Sequence, residues 1–310
     1  METAYQTMSD SASIAVYAWL PEQAPKAVIH IVHGMAEHAL RYDDFAKTAC
    51  KRGFAVIASD HRGHGKTGAK SGLMGYLADE DGFGRVVEDQ KEINAEIQKQ
   101  YPALPVVIVG HSFGSFVTQE YIERYGTTVK AAVLIGSAGP NPSVSVALTL
   151  ANLNCAFKGR KSAAKFMNAL VFGSYNRRIP NPHTAFDWLS RDEKEVKKYI
   201  DDEYCGFVCT AGFFQDFMRG LKRLHTSDSL KGIPAGLPVF ITAGAEDPVS
   251  SGGKTLKTLY SIYQDMGMQD VTLKLYENAR HEILNETNKE DVKADILGWI
   301  ESRLSSGQSY

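Results

Sequence analysis

The sequence predicts an α/β fold, in which a mostly parallel β-sheet is flanked by helices and interrupted by a helical insertion. Short runs of branched aliphatic residues alternate along the chain with longer segments of helical periodicity, an order typical of α/β sheets. From the third run onward, these runs consist almost wholly of Val, Ile and Ala, as expected for parallel strands that helices cover on both faces. Between Ser137 and Pro234 the alternation stops and helical periodicity alone remains.

Eight short runs are predicted to be strands. They are TAYQT (3–7), SIAVYAW (13–19), AVIHIV (27–32), FAVIAS (54–59), PVVIVG (105–110), AAVLIG (131–136), PVFITA (238–243) and VTLKLY (271–276). The first two alternate more than the others and are separated by the turn-like sequence SDS, so we expect an antiparallel hairpin at the edge of the sheet. Helices are predicted over 41–52, 84–100, 113–125, 254–267 and 287–304.

The insertion divides the chain into a core domain of residues 1–137 and 234–310 and a helical cap of residues 138–233. Four segments of the cap are predicted to be helical: SVSVALTLANLNCAF, KSAAKFMNALVF, DEKEVKKYIDD and TAGFFQDFMRGLKRL. An all-helical insertion forms either a lid over an active site or a small separate domain. Its large apolar residues fit two interpretations, an acyl-binding wall or a core of the insertion itself. They include Phe207, Phe213, Phe214, Phe217 and Met218.

Composition and charge exclude several classes of protein. The chain has 310 residues, of which 44% are hydrophobic and 23% are charged, and its formal net charge is -2 at pH 7. These values are ordinary for a globular protein, and the scattered basic residues argue against nucleic-acid binding and against a polybasic membrane patch. The stretch METAYQTMSDSASIAVYAWL lacks the regions of a signal peptide, and no apolar run reaches the roughly 18 residues of a membrane span. We therefore expect a cytoplasmic protein.

The cysteines and short motifs predict neither a metal site nor a nucleotide site. Four widely spaced cysteines argue against a disulfide framework. Cys205 and Cys209 would share one face of a helix, but a zinc site needs about two more ligands, and no CxxC or HxxxH cluster supplies them. HEILN at 281–285 lacks the second histidine of a zinc-protease motif, and neither GKT sequence has the glycine that a phosphate loop needs. We expect buried, reduced thiols at Cys50, Cys155, Cys205 and Cys209.

The stretch VVIVGHSFGSFVTQEYIERYG (106–126) joins a predicted buried strand to a predicted helix through a Gly-His-Ser-Phe-Gly turn. Gly110 and Gly114 have no Cβ, which allows a sharp reversal of the chain that holds Ser112 in a strained conformation above the sheet. The start of the following helix favours negative charge at the same place. Ser112 is therefore the predicted nucleophile. The alternative is a small serine that only caps the helix.

A nucleophilic serine needs a base and an acid that orients the base, and in this type of turn they follow in the order Ser, Asp or Glu, His. Asp247 follows the run PVFITA, and His281 follows the last run, VTLKLY. Because both lie just after strands, we expect them near the carboxyl edge of the sheet, beside Ser112. His281 is the only one of nine histidines that follows Asp247. Glu246 competes for the acid role, but Pro248 would fix the turn that presents Asp247.

Acyl transfer also needs backbone N–H groups that stabilise an oxyanion. One is predicted to be that of Phe113, the residue after the nucleophile. The other is that of Met35, in the loop HIVHGMAEH after the third strand, for which the alternative is a simple tight turn at Gly34. His61 and His64, in the loop after the fourth strand, are predicted to pack that loop and to take no part in catalysis.

Six sequences together resemble the monoacylglycerol lipase and lysophospholipase branch of the serine α/β-hydrolases. They are HGMAEHALRYDDFA, GFAVIASDHRGHGKT, GHSFGS, WLSRDEKEVKKYIDDEYCG, ITAGAEDPV and LYENARHEILNE, and the resemblance extends from about residue 12 to residue 304. It implies the α/β-hydrolase fold, with an eight-stranded sheet, a cap after the sixth strand and no cofactor. It also implies a triad of Ser112, Asp247 and His281, with Met35 and Phe113 as the oxyanion hole. Two departures are Ser115, where many members have another glycine, and Met35, where a small residue is common.

The predicted function is hydrolysis of carboxylic esters, most directly monoacylglycerol or lysophospholipid-type lipids, through an acyl-enzyme intermediate. One alternative is a general esterase for short-chain or aromatic acyl groups. Another is a serine aminopeptidase, which would need acidic or backbone groups in the cap that bind a free amine, but the cap acids are interleaved with Lys and Arg as on a solvated face. Residues 143–157 also suit peripheral membrane contact, although they lack the basic polar face of a strong interfacial helix.

Overall fold

A computed structural model of the chain describes residues 1–305 and forms one eight-stranded sheet there. The strands are β1 (Glu2–Thr7), β2 (Ser13–Trp19), β3 (Ala27–Val32), β4 (Phe54–Ser59), β5 (Val106–His111), β6 (Ala131–Ile135), β7 (Val239–Gly244) and β8 (Val271–Tyr276). Each strand overlaps the run predicted for it. The α/β fold class is therefore confirmed.

The sheet has the strand order β1-β2-β4-β3-β5-β6-β7-β8. β1 and β2 form the predicted antiparallel hairpin at one edge, and β2 also pairs antiparallel with β4. All pairs from β4 to β8 are parallel. The carboxyl ends of these parallel strands meet along one edge of the sheet, where ligands bind in open α/β folds.

Eleven α-helices lie within residues 1–305. They are α1 (Asp43–Lys51), α2 (Gly65–Ser71), α3 (Gly82–Gln100), α4 (Phe113–Tyr125), α5 (Val144–Lys158), α6 (Lys165–Phe172), α7 (Glu193–Asp201), α8 (Ala211–Arg223), α9 (Ser227–Leu230), α10 (Lys254–Asp265) and α11 (Lys289–Ser305). The five helices predicted outside the insertion are present, and α2 is additional. None of these helices is long and apolar enough to cross a bilayer.

The central strands of the sheet are buried on both faces: their successive side chains point to opposite sides, and helices cover each side. Every residue of β3, β4, β5, β6 and β7 is buried, which explains their nearly continuous aliphatic sequences. α3, α4 and α10 pack with one face of the sheet in a single hydrophobic cluster. α1 and α11 cover the other face.

The five helices α5 to α9 form the insertion between β6 and β7. α8 packs against both α5 and α3. The ring of Phe217 on α8 lies 5.9 Å from Phe83 on α3 and 5.1 Å from Phe113 at the start of α4, measured between centroids. The insertion therefore shares the hydrophobic core of the sheet at this point. The domain boundaries at residues 138 and 233 stay a prediction.

Candidate active site

The turn between β5 and α4 has the strained geometry that its glycines suggest. Ser112 has φ 52° and ψ −122°, a backbone conformation that costs energy for any residue with a Cβ. A Cβ on Gly110 would lie 2.2 Å from Thr118 Oγ1, and one on Gly114 would lie 2.0 Å from the carbonyl oxygen of Val32. Only glycine fits at these two positions, because the reversal brings α4 directly against β3 and β5.

Asp247 and His281 come together at the carboxyl edge of the sheet. His281 Nδ1 lies 3.0 Å from Asp247 Oδ1, and the Val249 N–H donates to the same oxygen at 2.8 Å. Both side chains are buried, whereas Glu246, the competing acid, is exposed. His281 and Ser112 line the same cavity. The geometry thus favours Asp247 over Glu246 as the acid that orients His281.

The electrostatic surroundings of His281 favour its protonated form. Burial lowers the pKa of the imidazole, but the charge of Asp247 and the hydrogen bond to it outweigh burial and raise the pKa above its ordinary value of 6.5. The insertion helps to hold this loop, since the His281 N–H donates to the carbonyl of Trp188 at 3.3 Å. The indole ring of Trp188 also packs 5.0 Å from the imidazole.

The two residues predicted to form the oxyanion hole both lie at the cavity. Met35 and Phe113 both line the cavity with Ser112. Within residues 1–305, neither the N–H of Met35 nor that of Phe113 donates a hydrogen bond to the protein. Gly34 does form a tight turn, because its N–H donates to Glu37 Oε1 at 2.6 Å. The turn and the predicted oxyanion role of Met35 are therefore compatible.

A cavity of about 730 Å³ lies between the strand ends and the insertion. The large apolar residues of the insertion divide between the two predicted interpretations. Phe207, Phe217 and Met218 line the cavity, whereas Phe213 and Phe214 are fully buried in the core. Within the described residues, the insertion contributes no carboxylate to the cavity lining.

The histidines that follow β4 pack inside the protein. His61 Nε2 hydrogen-bonds to the carbonyl of His33 at 2.9 Å, and the His61 N–H donates to His33 Nε2 at 2.9 Å. Burial lowers the pKa of His61 to about 3 and that of His64 to about 4, so both rings are neutral. Neither residue lines the cavity, which agrees with the predicted packing role.

A buried ion network behind the cavity was missed by the sequence reasoning. Glu37 and Glu282 both pair with Arg41, at 2.7 Å and 2.6 Å. Tyr42 and His111 also hydrogen-bond to Glu37, at 2.8 Å and 3.1 Å. The sequence carried only a weak signal of this network, namely the charged residues that adjoin predicted site residues in HGMAEH and ARHEIL.

The four cysteines are unpaired, but they differ in burial from the prediction. Cys155 and Cys209 are buried, whereas Cys50 and Cys205 are only half-buried, so the expectation of four buried thiols is wrong for these two. Cys205 and Cys209 lie in the loop between α7 and α8 and share no helix face, because α7 ends before them.

One group of potential metal ligands forms where this loop meets the segment after β3. His38, Asp202 and Cys205 place their donor atoms within 4.8 Å of one another. His38 Nε2 and Asp202 Oδ2 already pair at 2.8 Å. Burial raises the pKa of the Cys205 thiol well above its ordinary value, so the thiol is protonated. The group is thus accounted for by a hydrogen-bonded His38–Asp202 pair and a neutral thiol.

Comparison with known proteins agrees with this architecture. Residues 23–288 match the family Hydrolase_4, described as serine aminopeptidase, S33. A monoacylglycerol lipase of Mycolicibacterium smegmatis is 30% identical over 288 residues, which cover 92% of each chain. The monoglyceride lipase of Homo sapiens is 28% identical, with 93% of this chain and 86% of the relative covered.

Solved structures give the same result. A highly thermostable carboxyl esterase from Bacillus coagulans, in complex with glycerol, superposes with a TM-score of 0.90 at 27% identity, and the match covers 98% of both chains. The resemblance noted in the sequence is thus confirmed over nearly the whole chain. The protein belongs to the serine aminopeptidase S33 family of α/β-hydrolases and, within it, to the branch that contains the monoacylglycerol lipases.

Proposed function

We propose that the protein hydrolyses carboxylic esters of monoacylglycerol or lysophospholipid type through an acyl-enzyme on Ser112. The main support is the buried pair of His281 and Asp247, 3.0 Å apart, at the cavity that Ser112 also lines. Serine ester hydrolysis agrees with the lipase and esterase relatives. The individual roles of the residues are part of the proposal.

The proposed reaction has two acyl-transfer steps. His281 accepts the proton of the Ser112 hydroxyl, whose oxygen attacks the ester carbonyl carbon. The N–H groups of Met35 and Phe113 donate hydrogen bonds to the resulting oxyanion. The protonated His281 then gives its proton to the leaving alcohol, and water repeats the sequence on the acyl-enzyme. Asp247 keeps the imidazole in the required orientation and stabilises its protonated form.

The shape of the cavity supports a lipid ester over a small one. Its volume of about 730 Å³ lies in the range of pockets that hold drug-sized ligands. Apolar residues of α5, α6 and α8 contribute to the lining, among them Leu150, Leu170 and Met218. An acyl chain bound there would transfer its apolar surface out of water at roughly 0.8 kcal/mol per methylene.

The alternative substrates differ in what they require from the insertion, which we propose acts as a cap. An aminopeptidase needs acidic or backbone groups that bind a free amine. The only carboxylates that line the cavity within residues 1–305 are Glu37 and Glu282, and both are paired with Arg41. A peptide amine is therefore disfavoured. A general short-chain esterase remains the second candidate, because Met35 lines the same cavity as Ser112 and its long side chain would reduce the space for an acyl group there.

We also propose that the cap contacts lipid surfaces, while a cytoplasmic location stays a prediction. α5 and α6 expose several large apolar side chains: Val146, Leu153, Phe157, Phe166 and Leu170. Phe157 is 85% exposed, which is unusual for an aromatic residue that serves no contact. Flotation with liposomes tests this part, and a wild-type protein that stays at the bottom of the gradient would end it.

Two variants test the catalytic assignment. Ser112→Ala and His281→Ala should each lose nearly all ester hydrolysis and keep the melting temperature of the wild type within a few degrees. His183→Ala, which changes an exposed histidine of the insertion, is the matched control and should remain fully active. Near-wild-type turnover in either active-site variant would refute the assignment.

An ester series separates the two candidate substrate classes. Acyl groups from acetyl to oleoyl are compared on glycerol and on p-nitrophenol, with lysophosphatidylcholine alongside. A preference for medium or long chains on glycerol supports the lipase. Activity confined to short or aromatic acyl groups supports the general esterase.

A further inference from the structure

Glu37 has a buried carboxylate that accepts hydrogen bonds from several neighbouring groups. Only 3% of the residue is exposed. Its Oε1 accepts hydrogen bonds from the Gly34 N–H at 2.6 Å, from the Tyr42 hydroxyl at 2.8 Å and from His111 Nδ1 at 3.1 Å, while Oε2 pairs with Arg41 at 2.7 Å. A carboxylate with this many partners in the interior is held in one orientation.

The first of these hydrogen bonds fixes the loop that carries Met35. The Gly34 N–H and the Met35 N–H belong to successive peptide units, so the bond to Glu37 anchors the loop immediately before the Met35 N–H, with only the φ and ψ angles of Gly34 between them. A Cβ on Gly34 would lie 2.5 Å from Glu37 Oε1, which shows how closely the carboxylate approaches the loop. Ala36 has φ 52°, a conformation that persists only where the surroundings impose it. Tyr199 on α7 supports it by donating to the Ala36 carbonyl at 2.9 Å.

The other partners connect Glu37 to the loop of His281. Arg41 bridges Glu37 to Glu282, and it binds Glu282 through two hydrogen bonds of 2.6 Å and 2.7 Å. Glu282 directly follows His281 in the chain. His111 contacts both Glu37 and His281: it hydrogen-bonds to Glu37, and its ring centroid is 4.9 Å from that of His281. One buried network thus touches both the oxyanion loop and the base.

The charge of this network acts on His281. Burial raises the pKa of Glu37, but the hydrogen bond from His111 and the charge of Arg41 outweigh burial and hold the pKa well below its usual range, so Glu37 is ionised. Glu37 and Glu282 both contribute to the raised pKa of His281, after the larger effect of Asp247. The titratable and charged groups around Glu37 and His281 include His33, Arg41, Tyr42, His61, His64, His111, Tyr199, Cys205, Asp247 and Glu282.

We infer that Glu37 is a positioning residue for ester hydrolysis: its carboxylate holds the loop that presents the Met35 N–H, and its negative charge supports the protonated His281. The inference rests on the proposed function. A residue needed only for stability would affect unfolding but leave the turnover of the folded enzyme unchanged. Glu37 is instead expected to affect kcat more than KM, because its effects fall on the transition state.

Two substitutions separate the effect of Glu37 on the position of the Met35 loop from the effect of its charge on His281. Glu37→Asp keeps the charge, but its shorter side chain cannot accept the hydrogen bond from the Gly34 N–H in the same position. Glu37→Gln removes the charge, and its single carbonyl oxygen cannot accept hydrogen bonds from Arg41 and from the three donors on Oε1 together. Asp89→Asn is the matched control, because Asp89 is an equally buried carboxylate that pairs with Arg62 and does not line the cavity. The kinetic constants kcat and KM are measured on a soluble ester from pH 5 to 9, and the melting temperature of every variant is determined.

We expect kcat to fall by about 10- to 100-fold in both Glu37 variants, since misplacement of one oxyanion donor costs this much, with KM changed less than about threefold. The midpoint of the acid limb should move to lower pH in Glu37→Gln and stay in place in Glu37→Asp, because only the first removes a negative charge near His281. Asp89→Asn should melt earlier but keep kcat and the pH profile.

Folded Glu37 variants with kcat within twofold of the wild type would overturn the inference and leave the proposed function intact. If a Glu37 variant does not fold, Tyr42→Phe tests the same carboxylate by removing one donor, and a fall in kcat of a few fold is expected. An unchanged kcat in Tyr42→Phe would then overturn the inference about Glu37. A wild-type enzyme without ester turnover would overturn the proposed function, and this inference with it.

Discussion

The substitution Asp247→Asn removes one negative charge from the buried pair with His281 and keeps the shape of the side chain. The Asn carbonyl can still accept from His281 Nδ1 and from the Val249 N–H, which lie 3.0 Å and 2.8 Å from Oδ1. Its amide would then occupy the place of Oδ2, which has no hydrogen-bond partner within residues 1–305. The substitution therefore tests the charge of Asp247 together with its control of the imidazole tautomer.

The size of the effect follows from the distance in the pair. At 3.0 Å and an effective dielectric constant of about 20, the carboxylate stabilises a unit positive charge on the imidazole by about 5 kcal/mol. Because about 1.4 kcal/mol corresponds to a factor of ten in rate, kcat should fall by about 10³- to 10⁴-fold. The corresponding change in a serine protease lowers kcat by about 10⁴-fold. The midpoint of the acid limb should also move to lower pH.

The assay is turnover of p-nitrophenyl butyrate, with the concentration of active sites titrated by a fluorophosphonate and the fold checked by thermal melting. Glu246→Gln is the control, because Glu246 adjoins Asp247 but is exposed, and it should keep wild-type kcat. The reasoning fails if Asp247→Asn retains more than about a tenth of the activity, a loss of less than about 1.4 kcal/mol. A large loss in Glu246→Gln alone would transfer the acid role to Glu246.

Two further predictions concern pH and the turn at Ser112. Since Asp247 outweighs burial and raises the pKa of His281, kcat/KM should rise with pH through a midpoint above the ordinary histidine value of about 6.5; a midpoint below that value would contradict the assigned pair. Gly114→Ala should lower the free energy of unfolding by about 3 kcal/mol in urea titration, because its Cβ would lie 2.0 Å from a β3 carbonyl. Gly298→Ala, at a position of α11 with nothing within 4 Å, should instead stabilise by about 0.5–1 kcal/mol, and equal stability of the two variants would mean that the turn relaxes.

Much of the fold follows from local sequence patterns. Runs such as AVIHIV and FAVIAS are buried on both faces, so their composition alone indicated parallel strands, and they became β3 and β4. The turn at Ser112 was predictable for a similar reason, because a small number of adjacent residues determines whether the chain can reverse there. Asp247 and His281 could be selected because residues that follow parallel strands meet at one edge of the sheet.

Other features depend on contacts between distant segments, and the sequence carries almost no sign of them. Arg41 and Glu282 are 241 positions apart, and nothing near either residue indicates that they pair. The sequence also could not divide the insertion's aromatic residues. Phe213 and Phe217 lie on one helix and both join the core, and only the packing of that helix against α3 and α5 decides that Phe217 also lines the cavity.

The sequence by itself determined the strands, the strained turn and the proposed nucleophile and base, Ser112 and His281, because each depends on short-range periodicity or on position at a strand end. Only the tertiary structure decided which acid meets His281, which side chains line the cavity and that Glu37 lies buried between the oxyanion loop and the base. The physical reason is that burial and charge pairing depend on the distances between atoms in space, and these arise only when the insertion and the strand ends pack together.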